Sequence, residues 1–134
     1  MTLAETLYHC GAASLLVLGV VHNLIEVAQG MREQPAELAG LIERMKGTEI
    51  VTPGRPMTVF GAMRGFSLTM GLGMIAVGAL NHAIAPIGVE SPTILGINIA
   101  FCAAGLALSV RYFFVVPIAV LVLALGFFVG AALL

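Results

Sequence analysis

Apolar residues run almost unbroken through four stretches of the chain, about 7–28, 57–80, 93–110 and 114–134. A bilayer-spanning helix needs about 20 predominantly apolar residues, so each stretch predicts a transmembrane helix. Between the first two the pattern changes. Leu38, Leu41, Ile42 and Met45 recur at i, i+3, i+4 and i+7, while Glu37, Glu43, Arg44 and Lys46 take the remaining faces. That period predicts an amphipathic helix over about 35–46, with Pro35 at its opening turn and Gly47 at its close. It would lie on the membrane surface or across the mouth of the bundle, as a lid or as a docking face for a protein partner. Thr52-Pro53-Gly54-Arg55-Pro56 then turns the chain back, Pro-Gly favouring a type II turn and Pro56 opening the second span.

Composition fixes the class. The chain has 134 residues, 60% hydrophobic and 10% charged, with a mean hydropathy of +1.07. Soluble domains are about 45–50% apolar and about 25% charged, and a chain this short has too little interior to hide the excess. The expectation is an all-α polytopic membrane protein: one membrane domain over 1–134, a four-transmembrane-helix bundle with a cytoplasmic amphipathic helix between the first two spans. The leader Met1–Thr6 carries Glu5 and no Lys or Arg, so the first span is read as a retained helix and not a cleaved signal peptide.

Arg32, Arg44, Lys46 and Arg55 fall between the first two spans and Arg111 between the last two. Positive loop residues concentrate on the cytoplasmic side, which puts both termini outside the cytoplasm of a bacterial inner membrane. Tyr112, Phe113 and Phe114 beside Arg111 suit an interfacial anchor. The basic residues are too few and dispersed for nucleic acid. Small residues suggest where helices approach: Gly61 and Gly65, continued by Thr69 and Gly73, predict packing within the bundle. Gly126 and Gly130 in the last span fit such packing or, equally, a second protomer in a homo-oligomer.

Candidate chemistry centres on two charges inside the apolar runs. An ionised side chain at membrane depth costs about 2.5–3.5 kcal/mol or more, so Glu26 and Arg64 need compensation. His22 and Glu26 are i, i+4 on one helix face, with Asn23 adjacent. At ~1.5 Å per residue Arg64 lies roughly 10 Å into its span, near the level of Glu26. The expectation is an ion pair between Glu26 and Arg64 with His22 as neighbour, or a polar pocket of His22, Asn23, Glu26 and Arg64 that receives a head group or a proton. Gly71 and Gly78 would leave space above Arg64. A second cluster, His9, Asn81 and His82, sits at the outer boundary, flanked by Glu5 and Glu90. Two histidines can ligate haem or a metal, but they lack further ligands at a clear spacing, and no cofactor is predicted. Cys10 and Cys102 fall at different depths and read as free thiols.

Gly19-Val20-Val21-His22, Arg64-Gly65-Phe66-Ser67 and Gly78-Ala79-Leu80-Asn81 together resemble a pattern in small uncharacterised four-helix bacterial integral membrane proteins. The resemblance covers mainly the first eighty or so residues. It implies four spans and weight on His22 and Arg64, and carries no activity. A looser likeness is to the small multidrug transporters, with four spans and a carboxylate in the first. The long amphipathic loop, the intramembrane Arg64 and the one-sided charge bias depart from them.

Two functions follow as expectations. The first is an integral membrane protein, enzyme or not, that binds an apolar or amphiphilic small molecule such as a lipid, quinone or isoprenoid beside His22, Glu26 and Arg64, with membrane lipids as partners. The alternative is a small proton-coupled transporter, or an accessory subunit in which the polar residues are structural.

Overall fold

The computed structural model describes residues 1–32, 34–51, 54–113 and 115–134. Thr52 and Pro53 of the expected turn, and Phe114 of the expected anchor, lie outside the described residues.

Four helices are long and apolar enough to cross a membrane, as in a multi-pass membrane protein: α1 (Leu3–Met31), α3 (Val59–Ala83), α5 (Pro92–Tyr112) and α6 (Val115–Ala132). The shorter α2 (Ala36–Gly47) and the one-turn α4 (Ala85–Gly88) join them. Their starts follow local chemistry. Thr2 and Glu5 form a reciprocal capping box, which satisfies two orphan amides and starts α1 earlier than the apolar run alone suggests. Ser91 caps α5 with Pro92 at its first turn. Thr58 accepts from the Gly61 amide, so Thr58, and not Pro56, opens the second span. A minimal antiparallel ladder, β1 (Glu49–Ile50) with β2 (Met57–Thr58), closes the connection. Gly54 takes φ +103°, a left-handed backbone that glycine adopts without strain.

The main interfaces are α1 with α3, α1 with α6, and α5 with α6. The helices therefore form an open row, α3–α1–α6–α5, with no comparable interface between α3 and α5 among the described residues. α1 is the central helix. The core is made where it meets α6 and α5: Tyr8, Leu15, Cys102, Leu121 and Phe128 are fully buried. The Tyr8 ring meets Phe128 edge-on at 5.3 Å between centroids, and Phe128 carbons would come within 3.0 Å of any Cβ at Gly11. Large apolar side chains such as Phe66, Leu72, Ile97 and Leu123 point outward, as a lipid-facing surface requires.

α3 seats on α1 differently, by glycine. A Cβ at Gly78 would fall 2.6 Å from the Leu16 amide nitrogen, and one at Gly19 would fall 2.6 Å from the Gly71 carbonyl oxygen. The stripe expected to pack, Gly61–Gly65–Gly73, does not: Gly65 and Gly73 have nothing within 4 Å, and Gly61 meets only its own cap residue Thr58. In the last span a Cβ on Gly130 would stand 3.2 Å from Leu7 Cδ1 of α1, while Gly126 has nothing within 4 Å. Nor do Gly71 and Gly78 leave a void, because α1 fills both.

α2 lies against the start of α3. Ile42 and Met45 turn toward Phe60 and Met63, Leu38 and Leu41 are exposed, and the Lys46 ammonium sits 5.8 Å from the Phe60 ring centroid.

Candidate functional site

The two ends of the bundle carry separate polar clusters. At the end near α2, α1 presents His22 and Glu26 on one face, and α3 brings Ser67 between them. His22 Nε2 lies 3.1 Å from the Ser67 carbonyl oxygen and 3.0 Å from its Oγ. A carbonyl only accepts, so Nε2 carries the proton and Nδ1 is the acceptor of the neutral ring. Ser67 Oγ in turn donates to Glu26 Oε2 at 3.1 Å. The result is a directed relay, His22 Nε2–H to Ser67 to Glu26. Ser67 supplies its centre and was not singled out from the sequence, where a lone hydroxyl in an apolar helix looks like any other.

The relay forms one wall of a cavity of about 330 Å³ on the open side of the row, between α3 and α5. Leu18 and Ile25 of α1, Met70 and Met74 of α3, Leu108 of α5 and Leu121 of α6 make its apolar surface. His22, Glu26, Gln29, Ser67 and Ser109 are the polar groups. An apolar cleft with a few convergent polar groups is the usual form of a small-molecule site, and ~300–1,000 Å³ is the usual size.

Arg64 is placed otherwise than expected. Among the described residues it has no carboxylate within 4.0 Å, whereas Lys46 pairs with Glu43 and the N-terminal amine with Glu5. Its guanidinium reaches along α1 to Gly30, where any side chain would collide with it. Gly30 lies in the last turn of α1, which has no basic residue of its own. A cation there faces the negative end of the helix dipole, a compensation that replaces the ion pair. Arg64 also lines a smaller chamber of about 240 Å³ with Ile42 and Met45 of α2, and Glu26 and Ser67 open onto both spaces. Asn23 does not join the cavity. It packs over Gly71, and its Oδ1 is the one fully buried, unpartnered side-chain polar atom among the described residues.

At the opposite end a tighter network joins three helices. The Tyr8 hydroxyl donates to Asn81 Oδ1. The Asn98 amide donates to Asn81 Oδ1 at 2.7 Å and to the Tyr8 hydroxyl at 3.2 Å. Asn81 Nδ2 closes the set on the Val77 carbonyl at 3.0 Å. Tyr8, Asn81 and Asn98 are all buried. Asn81 was anticipated; Tyr8 and Asn98 were not, although an amide in the middle of an apolar run is itself a signal of an interhelical hydrogen bond. Beside this network the His9 and His82 rings meet, Nδ1 to Nδ1 at 3.0 Å. Among the described residues no third His, Cys, Asp or Glu completes a metal-binding group with them. Glu5 serves the α1 cap. Cys10 and Cys102 are free thiols.

No protein-family model, curated protein or solved structure matches the chain.

Proposed function

We propose that this is a membrane protein that binds an apolar or amphiphilic small molecule, with its hydrocarbon part among the α3 and α5 side chains and its polar end at His22, Ser67 and Glu26. The supporting observation is the coincidence of the 330 Å³ apolar cavity with the only hydrogen-bonded relay among the described residues that includes a carboxylate and an imidazole. Loop charge supports an orientation with both termini outside the cytoplasm, the relay in the cytoplasmic half and α2 on the cytoplasmic face.

Native mass spectrometry of protein extracted in lipid nanodiscs tests the binding reading. The expected result is one retained apolar molecule per chain, lost in Gly105→Leu. That residue lines the cavity, and a Cβ there would stand at an ordinary 3.5 Å from Leu121 Cδ1, so the new side chain grows into the space without a backbone clash. A parent protein that never retains a ligand overturns it.

Proton-coupled transport is a second reading, favoured by Glu26 and Ser67 lining both the cavity and the chamber beneath α2. One carboxylate facing two spaces is what alternating protonation needs. Proton flux in proteoliposomes that survives Glu26→Gln removes it.

A further inference from the structure

The relay has a direction, and the direction selects a head group. We infer that the cavity takes a single-chain amphiphile whose head donates hydrogen bonds, a primary ammonium or a hydroxyl, and that it discriminates against an anionic head. This rests on the binding reading above.

Proton placement carries the argument. The Ser67 carbonyl fixes the His22 proton on Nε2, so the neutral ring keeps Nδ1 as an acceptor. The Ser67 hydroxyl proton is committed to Glu26 Oε2. Glu26 Oε1 and His22 Nδ1 have no hydrogen-bond partner among the described residues, and neither is sealed inside protein, since Asn23 Oδ1 alone has that status. Both side chains line the cavity. The two groups whose roles are fixed are therefore both acceptors. Gln29 and Ser109 donate or accept as needed and impose no sign.

Charge points the same way. No Lys or Arg lines the larger cavity; the nearest intramembrane cation, Arg64, lines the neighbouring chamber with its guanidinium turned to Gly30. A carboxylate or phosphate head would meet Glu26 in an apolar setting without a compensating cation, whereas an ammonium or hydroxyl meets two open acceptors. Size limits the tail. At the lower end of the ~300–1,000 Å³ range, the cavity suits one hydrocarbon chain and not two.

Three probes with the same tail and different heads test this on the parent chain in nanodiscs: dodecylamine, 1-dodecanol and dodecanoate, read by native mass spectrometry and by thermal melting. Dodecylamine and dodecanol should each form 1:1 adducts and raise the Tm by several degrees, with dodecanoate at least tenfold weaker. Glu26→Gln should weaken dodecylamine about tenfold while leaving dodecanol within about threefold. Gly105→Leu should abolish all binding and so exclude bulk membrane effects. Dodecanoate binding as well as the amine, or an amine affinity unchanged by Glu26→Gln, overturns the head-group inference and leaves the cavity reading standing. No adduct with any of the three, in a parent that melts like Gly105→Leu, overturns both. The comparison of heads on the parent chain holds even if a variant fails to fold.

Discussion

The Tyr8–Asn81–Asn98 end and the His22–Ser67–Glu26 end are built from similar materials, polar side chains meeting across apolar helices, yet they are finished differently. At the first end each residue is buried and the three side chains bond one another, with Asn81 Oδ1 accepting from two helices. At the second the members are half-buried, and lone pairs remain that face a cavity. Interhelical polar bonds hold helices when every group is satisfied within the protein, and they leave recognition capacity when some are not. The difference lies in the neighbours. Gly88, which brings α4 down onto the Tyr8 ring, seals one end, whereas the missing α3–α5 interface leaves the other open.

The largest effects should come from the glycine seat that both ends share. Gly78→Val places atoms against the α1 backbone, which cannot yield as a side chain tip can, and should cost about 3 kcal/mol or more in reversible denaturation. Gly65→Val on the open face of the same helix should stay within about 0.5 kcal/mol, and equal losses would show that α3 is rotated from the position described.

Next come the two polar clusters. Asn81→Ala leaves the Tyr8 hydroxyl proton and one Asn98 N–H without an acceptor in the interior and should cost about 1–3 kcal/mol. Ser67→Ala should cost under about 1 kcal/mol, since His22 keeps the Ser67 carbonyl and Glu26 already faces the cavity. Retained ligand should reverse that order, falling in Ser67→Ala and persisting in any folded Asn81→Ala protein. Native mass spectra in which both variants lose ligand equally erase the distinction between the ends.

The smallest effect concerns Arg64. Gly30→Ala collides only with the mobile tip of a long side chain, so melting should show a loss below about 1 kcal/mol. A double-mutant cycle between Glu26→Gln and Arg64→Gln should show a coupling below about 0.5 kcal/mol, because no direct ion pair joins them. A coupling of several kcal/mol restores the pair.

How much of this was legible depends on what the bilayer does to sequence signals. Run length alone gave four helices long and apolar enough to span a membrane, because lipid demands that length of every span. A helix, α2, does occupy the segment between Pro35 and Gly47, but Leu38 and Leu41 of the expected apolar stripe are exposed. Rotation was not legible. In a membrane the side facing lipid is as apolar as the side facing protein, so Gly61-x-x-x-Gly65 and the true seat, Gly71 with Gly78, look alike in composition. Attention to ionisable residues singled out His22 and Glu26 and passed over Ser67, which hydrogen-bonds both, and Asn98. A neutral hydroxyl carries little insertion cost and so little warning, whereas the Asn98 amide was itself a signal of an interhelical hydrogen bond. The assumption that opposite charges meet misplaced Arg64, because a helix end can serve a cation as well as a carboxylate does.

The order α3–α1–α6–α5 has a consequence for biogenesis. α1 is made before α6, yet Gly11 and Tyr8 of α1 are completed by Phe128 of α6. As the chain leaves the ribosome, α1 can dock α3 early through their glycines, but its other flank stays bare until α6 arrives. Until Phe128 has been made, the Tyr8 and Gly11 side of α1 lacks the ring that packs on it, and the core around Tyr8 is incomplete.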